Sequence, residues 1–163
     1  MSTNITIEPL NNAYCEQIVN LILPIQQIEF NVPVTLADQP DLLDIETNYL
    51  QDGGNFLGAK HGDELVGTIA LINTGHKASA LRKMFVKKEF RGKEHGIAQL
   101  LLDNLIEFCS ANSITDIYLG TVSMLKAAHR FYEKNGFTKI SADALPPYFP
   151  RMKADDVFYH FHI

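Results

Sequence analysis

Residues 3–9 alternate apolar and polar, with Ile5 and Ile7 set against Thr6 and Glu8, which predicts a half-buried strand. Tyr14, Ile18, Leu21 and Ile22 then recur at helical spacing. Asn11 or Asn12 can cap that helix, and Pro24 kinks or ends it. Residues 26–39 keep no period and read as a loop or a broken helix. A second helix is expected from Pro40, a favoured first-turn residue, to just before Gly53-Gly54. Residues 55–60 and 64–72 are strand-like around the short polar join His61-Gly62-Asp63, a hairpin signal. Residues 74–79 read as a loop, 80–88 as a further strand and 89–95 as a basic turn. From Gly96 onward Ile97, Leu101, Leu105 and Phe108 mark one apolar face of an amphipathic helix, with Gln99, Asp103, Asn104 and Glu107 outside. Residues 114–122 are rich in strand formers. Ser123 is placed to cap the next helix, and Asn135-Gly136 to end it. Residues 137–141 and 157–163 would be closing strands, joined by a Pro-rich excursion at 145–150.

This order, β-α-α-β-β-β-α-β-α-β-β, is that of an α+β domain around one mixed, mostly antiparallel sheet, with a single domain expected over residues 1–163. A chain of 163 residues buries roughly two-thirds of its unfolded surface, so the core needs no disulfide or metal. Cys15 and Cys109 sit among apolar neighbours and read as small buried hydrophobes. The start of the chain has no basic flank followed by an apolar run. The longest apolar stretch, residues 18–25, is broken by Asn20 and Pro24, so no membrane span is expected and a reducing cytoplasm is the default.

The net charge of −5 argues against nucleic acid as a partner, but its distribution is uneven. Six of the fourteen Lys and Arg fall between Arg82 and Lys93, opposed there only by Glu89. A basic island on an acidic chain suits a local anionic ligand; a solvated strand edge is the plainer reading. The unit that carries chemistry is a strand ending in Met84-Phe85-Val86, a turn Arg91-Gly92-Lys93-Glu94-His95-Gly96, and a helix opening with Ile97-Ala98. Glycine lets backbone approach a ligand, and a helix start offers unpaired N–H groups with partial positive charge. Together they suit a diphosphate. The spacing matches neither the triphosphate loop nor the dinucleotide glycine fingerprint.

The turn resembles the GNAT superfamily of N-acetyltransferases, whose Arg/Gln-x-x-Gly-x-Gly/Ala motif follows the fourth strand. Lys93-Glu94-His95-Gly96-Ile97-Ala98 fits with Lys in first place; alternatively Arg91-Gly92 is the opening, with two extra residues before Gly96. Downstream, Ala128-His129-Arg130-Phe131-Tyr132-Glu133-Lys134-Asn135-Gly136-Phe137 is similar to the family's Ala-x-x-x-Tyr-Glu-Lys-x-Gly-Phe signature, with Leu125 where the family often has Asn.

The resemblance implies acetyl-CoA as co-substrate, and an acetyl group passed to a primary amine of a small molecule or peptide by direct attack in a ternary complex. It implies a cofactor surface of Met84, Phe85, Val86, Arg91, Gly92, Lys93, His95, Gly96, Ile97, Ala98, Ala128, Phe131 and Tyr132. The backbone N–H near Val86 would be the oxyanion donor and Tyr132 the general acid. Glu29, Glu46 and His76 are candidate bases, with Glu29 placed first. No metal is expected, since His160 and His162 share a strand face without a zinc pattern. A non-catalytic acyl-CoA sensor on the same fold is the competing function. Edge strands near the C-terminus leave pairing of two copies open.

Overall fold

The computed structural model describes residues 4–92, 95–152 and 154–163. Its sheet has seven strands: β1 (Ile5–Pro9), β2 (Asn55–His61), β3 (Glu64–Gly75), β4 (Ala78–Val86), β5 (Asp116–Thr121), β6 (Thr138–Ile140) and β7 (Val157–His162), in the order β1-β2-β3-β4-β5-β7-β6. Every neighbour pair is antiparallel except β4 with β5. Helix α1 (Cys15–Pro24) and the short helical turns that follow it cover one face of the sheet. Helix α2 (Ile97–Ala111) covers the other, and α3 (Lys126–Lys134) follows β5.

Two cores result. Ile97, Leu101, Leu102, Leu105 and Cys109, the inward stripe of α2, pack on Val66, Ile69, Leu71 and Leu81. Ile18 and Ile22 of α1 pack with Leu42, Ile45 and Tyr49 on Phe56, Leu65 and Ala70. The period read in α2 is therefore a packing stripe.

Three stretches differ from the sequence reading. Residues 40–52 form no regular helix: a 3₁₀ turn Pro40–Leu43 is followed by a wide π turn Glu46–Leu50. The break is at Asp44, whose backbone leaves helical space (φ −150°, ψ 82°) while its carboxylate accepts Thr47 N–H and the Asn12 amide, both at 3.1 Å. The expected loop at 74–79 is mostly strand, because β3 and β4 run into a tight hairpin with His76 and Lys77 both at positive φ. Ser123 does not cap α3. Its N–H donates to Asp156 Oδ1 at 2.8 Å, and Leu125 is the residue at the helix start.

The feature that shapes the site is a bulge in β4. Thr68 faces Phe85 and Ala70 faces Arg82, so Lys83 and Met84 together oppose Ile69. Lys83 is driven to φ 54°, and the buried Thr68 hydroxyl donates to its carbonyl at 2.7 Å. Replacing Thr68 by Val keeps the volume but leaves that carbonyl without its donor, a loss of about 1–2 kcal/mol. Urea unfolding of Thr68→Val measures it, and an unchanged midpoint would count the bond as negligible.

Candidate active site

β4 pairs with β5 only over Ala78–Leu81 against Asp116–Leu119. Beyond that point β4 continues along β3 to Val86, and β5 along β7 to Thr121, so the sheet opens between them. Lys87 N–H donates to Val66 O at 2.8 Å, which fixes the phase of the β3–β4 ladder. The next pair, Gly67 with Val86, is then a non-hydrogen-bonded one, and the Val86 N–H and C=O point away from β3 into the opening. Arg91 Nε reaches the Val86 carbonyl from that side at 2.8 Å.

The start of α2 faces the same opening. Gly96 precedes it in the left-handed region (φ 62°, ψ 22°), a conformation glycine takes without steric cost. The N–H groups of Ile97 and Ala98 fall in the first turn, where no intrahelical carbonyl can pair them. Ala98 lines a groove of about 290 Å³ with Met84, Phe85, Val86 and Arg91 on one wall and Ala128, Phe131 and Tyr132 of α3 on another. Eight of the residues expected at a cofactor surface thus share one cleft. Tyr132 is buried, and its hydroxyl donates to Met84 Sδ at 3.6 Å, a soft acceptor. Burial pushes the phenol well above its usual range, so it keeps its proton at neutral pH.

Other candidates are engaged elsewhere. Glu29 holds the Arg91 guanidinium with both oxygens, one at 2.8 Å, and that hydrogen bonding keeps its carboxyl below the usual range. Arg91 also lies over the Phe30 ring at 5.6 Å. A carboxylate so stabilised in its charged form is a weak proton acceptor. Glu46 accepts the Asn12 N–H at 3.1 Å, and His76 stacks on Tyr148 with centroids 4.4 Å apart. Gly92 is exposed at φ 115°, the His95 ring lies 5.8 Å from that of Phe90, and Lys93 lies outside the described residues. Lys87 pairs with Glu64, so the basic island is partly neutralised by partners distant in sequence. His160 and His162 both meet Asp116 Oδ1, at 2.7 and 3.1 Å. Among the described residues no group of three His, Cys, Asp or Glu is arranged to hold a metal ion.

A second cavity of about 290 Å³ adjoins the groove, with Phe30, Phe85 and Leu125 common to both. Its walls carry Arg82, Lys83, Gln39 and Asp155, a set the sequence reading did not bring together. Lys83 is 8% exposed; its ammonium meets Gln39 Oε1 and lies 3.7 Å from Asp41. Burial pulls Lys83 down to about 8 against the partly opposing pull of Asp41. Asp155 receives the Met152 N–H at 3.1 Å, and burial pushes its carboxyl up to about 6. No motif marked Asp155. Only its place in the cavity does.

The model of the Acetyltransferase (GNAT) family matches residues 19–137, well over half of the chain. The chain belongs to the GNAT acetyltransferase family. Among solved GNAT structures, an acetyltransferase from Staphylococcus aureus Mu50 superposes with a TM-score of 0.93 at 42% identity, covering 97% of this chain and 98% of that one. The PaiA N-acetyltransferase of Thermoplasma acidophilum, solved with coenzyme A, shares the fold (TM-score 0.74, 18% identity, 98% and 99% covered). The N-acetylaspartate synthetase of Danio rerio is 36% identical over 102 residues, which are 61% of this chain and 36% of that protein. The chain spans less than half the length of the curated relatives it matches. Among the described residues of this GNAT chain no helix is long and apolar enough to cross a membrane.

The buried Lys83 has a signature in stability. In an unfolded chain lysine titrates near ~10.4, whereas folded Lys83 titrates at about 8. Between these values the unfolded state binds the extra proton, so the penalty of burying this group is full below the folded pKa and fades as pH rises. Wild type should therefore gain on Lys83→Met across that window, by at most about 1.4 kcal/mol per pH unit. Paired urea titrations would read this, and a constant difference would place the ammonium in water.

Proposed function

We propose that the protein transfers an acetyl group from acetyl-CoA to a primary amine. One observation carries the reading: a single groove holds the first turn of α2, the outward Val86 N–H of a strand that has lost its neighbour, and the Tyr132 hydroxyl. Family membership and the similarity to N-acetylaspartate synthetases support N-acetylation. Coenzyme A in the PaiA neighbour supports the ligand class.

Amides at the start of α2 suit the diphosphate of coenzyme A, because N–H groups aimed outward and the helix dipole both favour an anion. The pantetheine arm would lie along the freed edge of β4, where backbone groups lack a strand partner. Attack by a neutral amine puts negative charge on the thioester oxygen, and the Val86 N–H is aligned to receive it. Collapse expels a thiolate, which Tyr132 protonates; Met84 Sδ already occupies that hydroxyl with sulfur. The Pro-rich segment and the turns after α1 border the acceptor side.

Gly96→Asp and Gly96→Asn have nearly the same shape, and both residue types tolerate positive φ. The charged variant should bind coenzyme A at least about tenfold more weakly than the neutral one, since its carboxylate faces the diphosphate. Calorimetry separates the two, and equal affinities would remove the phosphates from this turn. Tyr132→Phe should lower turnover about 10–100-fold while acetyl-CoA affinity stays within about twofold. Free-thiol release across a panel of primary amines is the assay for the function itself. Tight acetyl-CoA binding with no thiol release for any amine would leave a binding module.

A further inference from the structure

An amine at neutral pH is mostly ammonium, and transfer cannot begin until it loses a proton. Glu29 is locked to Arg91, while Glu46 and His76 have partners of their own. The cavity beside the groove holds a different carboxylate. Asp155 sits in the turn that leads into β7, tied by its own N–H to Met152 O at 3.1 Å, and by Met152 N–H to Oδ2 at 3.1 Å. Its carboxylate lies against Gly120 where β5 leaves β4; a Cβ at Gly120 would collide with Oδ2. The fold therefore reserves space at the mouth of the opening for this one acid.

We infer that Asp155 is the proton acceptor for the substrate: the acceptor enters this cavity, sets its ammonium on the Asp155 carboxylate, and gives it one proton before attacking the thioester. The inference rests on the acetyl-transfer reading of the groove. The nitrogen lone pair forms the C–N bond as the carbonyl π pair moves to oxygen, and the C–S bond then breaks with its pair on sulfur. The nitrogen loses two protons in all. One passes through Asp155 to solvent, and the other replaces the proton that Tyr132 gives to the thiolate. Amide, free thiol and one released proton balance the reaction.

Charges around Asp155 fit that task. Arg82 and Lys83 on β4 and Asp38 line the same cavity, Arg151 donates to the Asp155 carbonyl, Asp41 lies against Lys83, and the Asp155 charge acts on Tyr132 of α3. Buried Lys83 and half-buried Arg82 disfavour a third cation, so a substrate ammonium entering here becomes more acidic than in water. Burial, working against Arg82, Lys83 and Arg151, leaves Asp155 at about 6, a base that is mostly free at neutral pH yet strong enough to take a proton. Arg82 itself donates to Pro150 O at 3.1 Å and to the thioether of Met152, so it helps hold the segment that carries Asp155.

Asp155→Asn keeps an oxygen for the Met152 N–H and removes only the basicity. With the amine most rapidly acetylated in the panel, wild-type kcat/KM should fall about tenfold per pH unit below the Asp155 titration. The Asn variant should lose that limb and about 100-fold in kcat, with melting temperature and acetyl-CoA affinity retained. Toward hydroxylamine, already neutral at neutral pH, it should match wild type. Gly120→Ala, which crowds the carboxylate without removing it, should show a displaced limb. An Asn variant that keeps the limb and loses less than about threefold in kcat overturns the assignment and leaves acetyl transfer standing. Wild-type protein that binds acetyl-CoA but acetylates no amine at any pH overturns both. Failure to bind acetyl-CoA sinks the groove first.

Discussion

The separation of β4 from β5 after Leu81 is the constraint on which the rest depends. A buried strand edge must find partners for its peptide groups or meet solvent or a ligand. Here the bulge at Lys83 and Met84 re-aims the strand, the ladder with β3 turns Val86 outward, and α2 brings its unpaired first turn to the same opening. Arg91 meets the Val86 carbonyl and Thr68 the Lys83 carbonyl, but the Ile97 and Ala98 N–H groups have no intrahelical carbonyl. Under the proposed acetyl transfer, a thioester carrier with a diphosphate at one end and amide groups along its arm would meet both the freed strand edge and the helix start in one groove.

On the far side of Phe85 the molecule buries charge. Lys83 is satisfied by Gln39 and Asp41, Gln39 Nε2 in turn reaches Gln26 at 2.8 Å, and Tyr49 donates to Asp41 at 2.5 Å. Such networks are expensive to desolvate and seldom improve on an apolar core, so their presence in a cavity points to function more than to stability. Asp155 and Lys83 have their ordinary pKa values moved in opposite directions by the same cause, removal from water. Among the described residues neither Arg82 nor Asp155 has an ion-pair partner within 4.0 Å, although both line the same cavity.

Local pattern carried the sequence reading a long way where local forces decide. The stripe of Ile97, Leu101 and Leu105, the hairpin at His61-Gly62-Asp63 and the glycine at Gly136 (φ 90°) each follow from side chains a few residues apart. It failed where the partner is distant. Residues 40–52 have helical composition, yet Asp44 spends its carboxylate on Asn12 and Thr47 and breaks the turn. Glu29 reads as a candidate base from its type, and its ion pair with Arg91, sixty-two residues on, is a tertiary contact no local window shows.

What the chain alone determined was the order of elements, the α2 turn with Gly96 before it, and the place of Tyr132 on α3. Those depend on hydrophobic period, backbone permission and short motifs. Tertiary structure decided which charges are buried and which acid lines the cavity beside the groove. Lys83 read as part of an exposed basic island and proved interior, while Asp155 carried no signal at all. Burial and electrostatic neighbourhood are properties of surfaces brought together from β4, the helical turns and the last loop. No window of sequence contains all three.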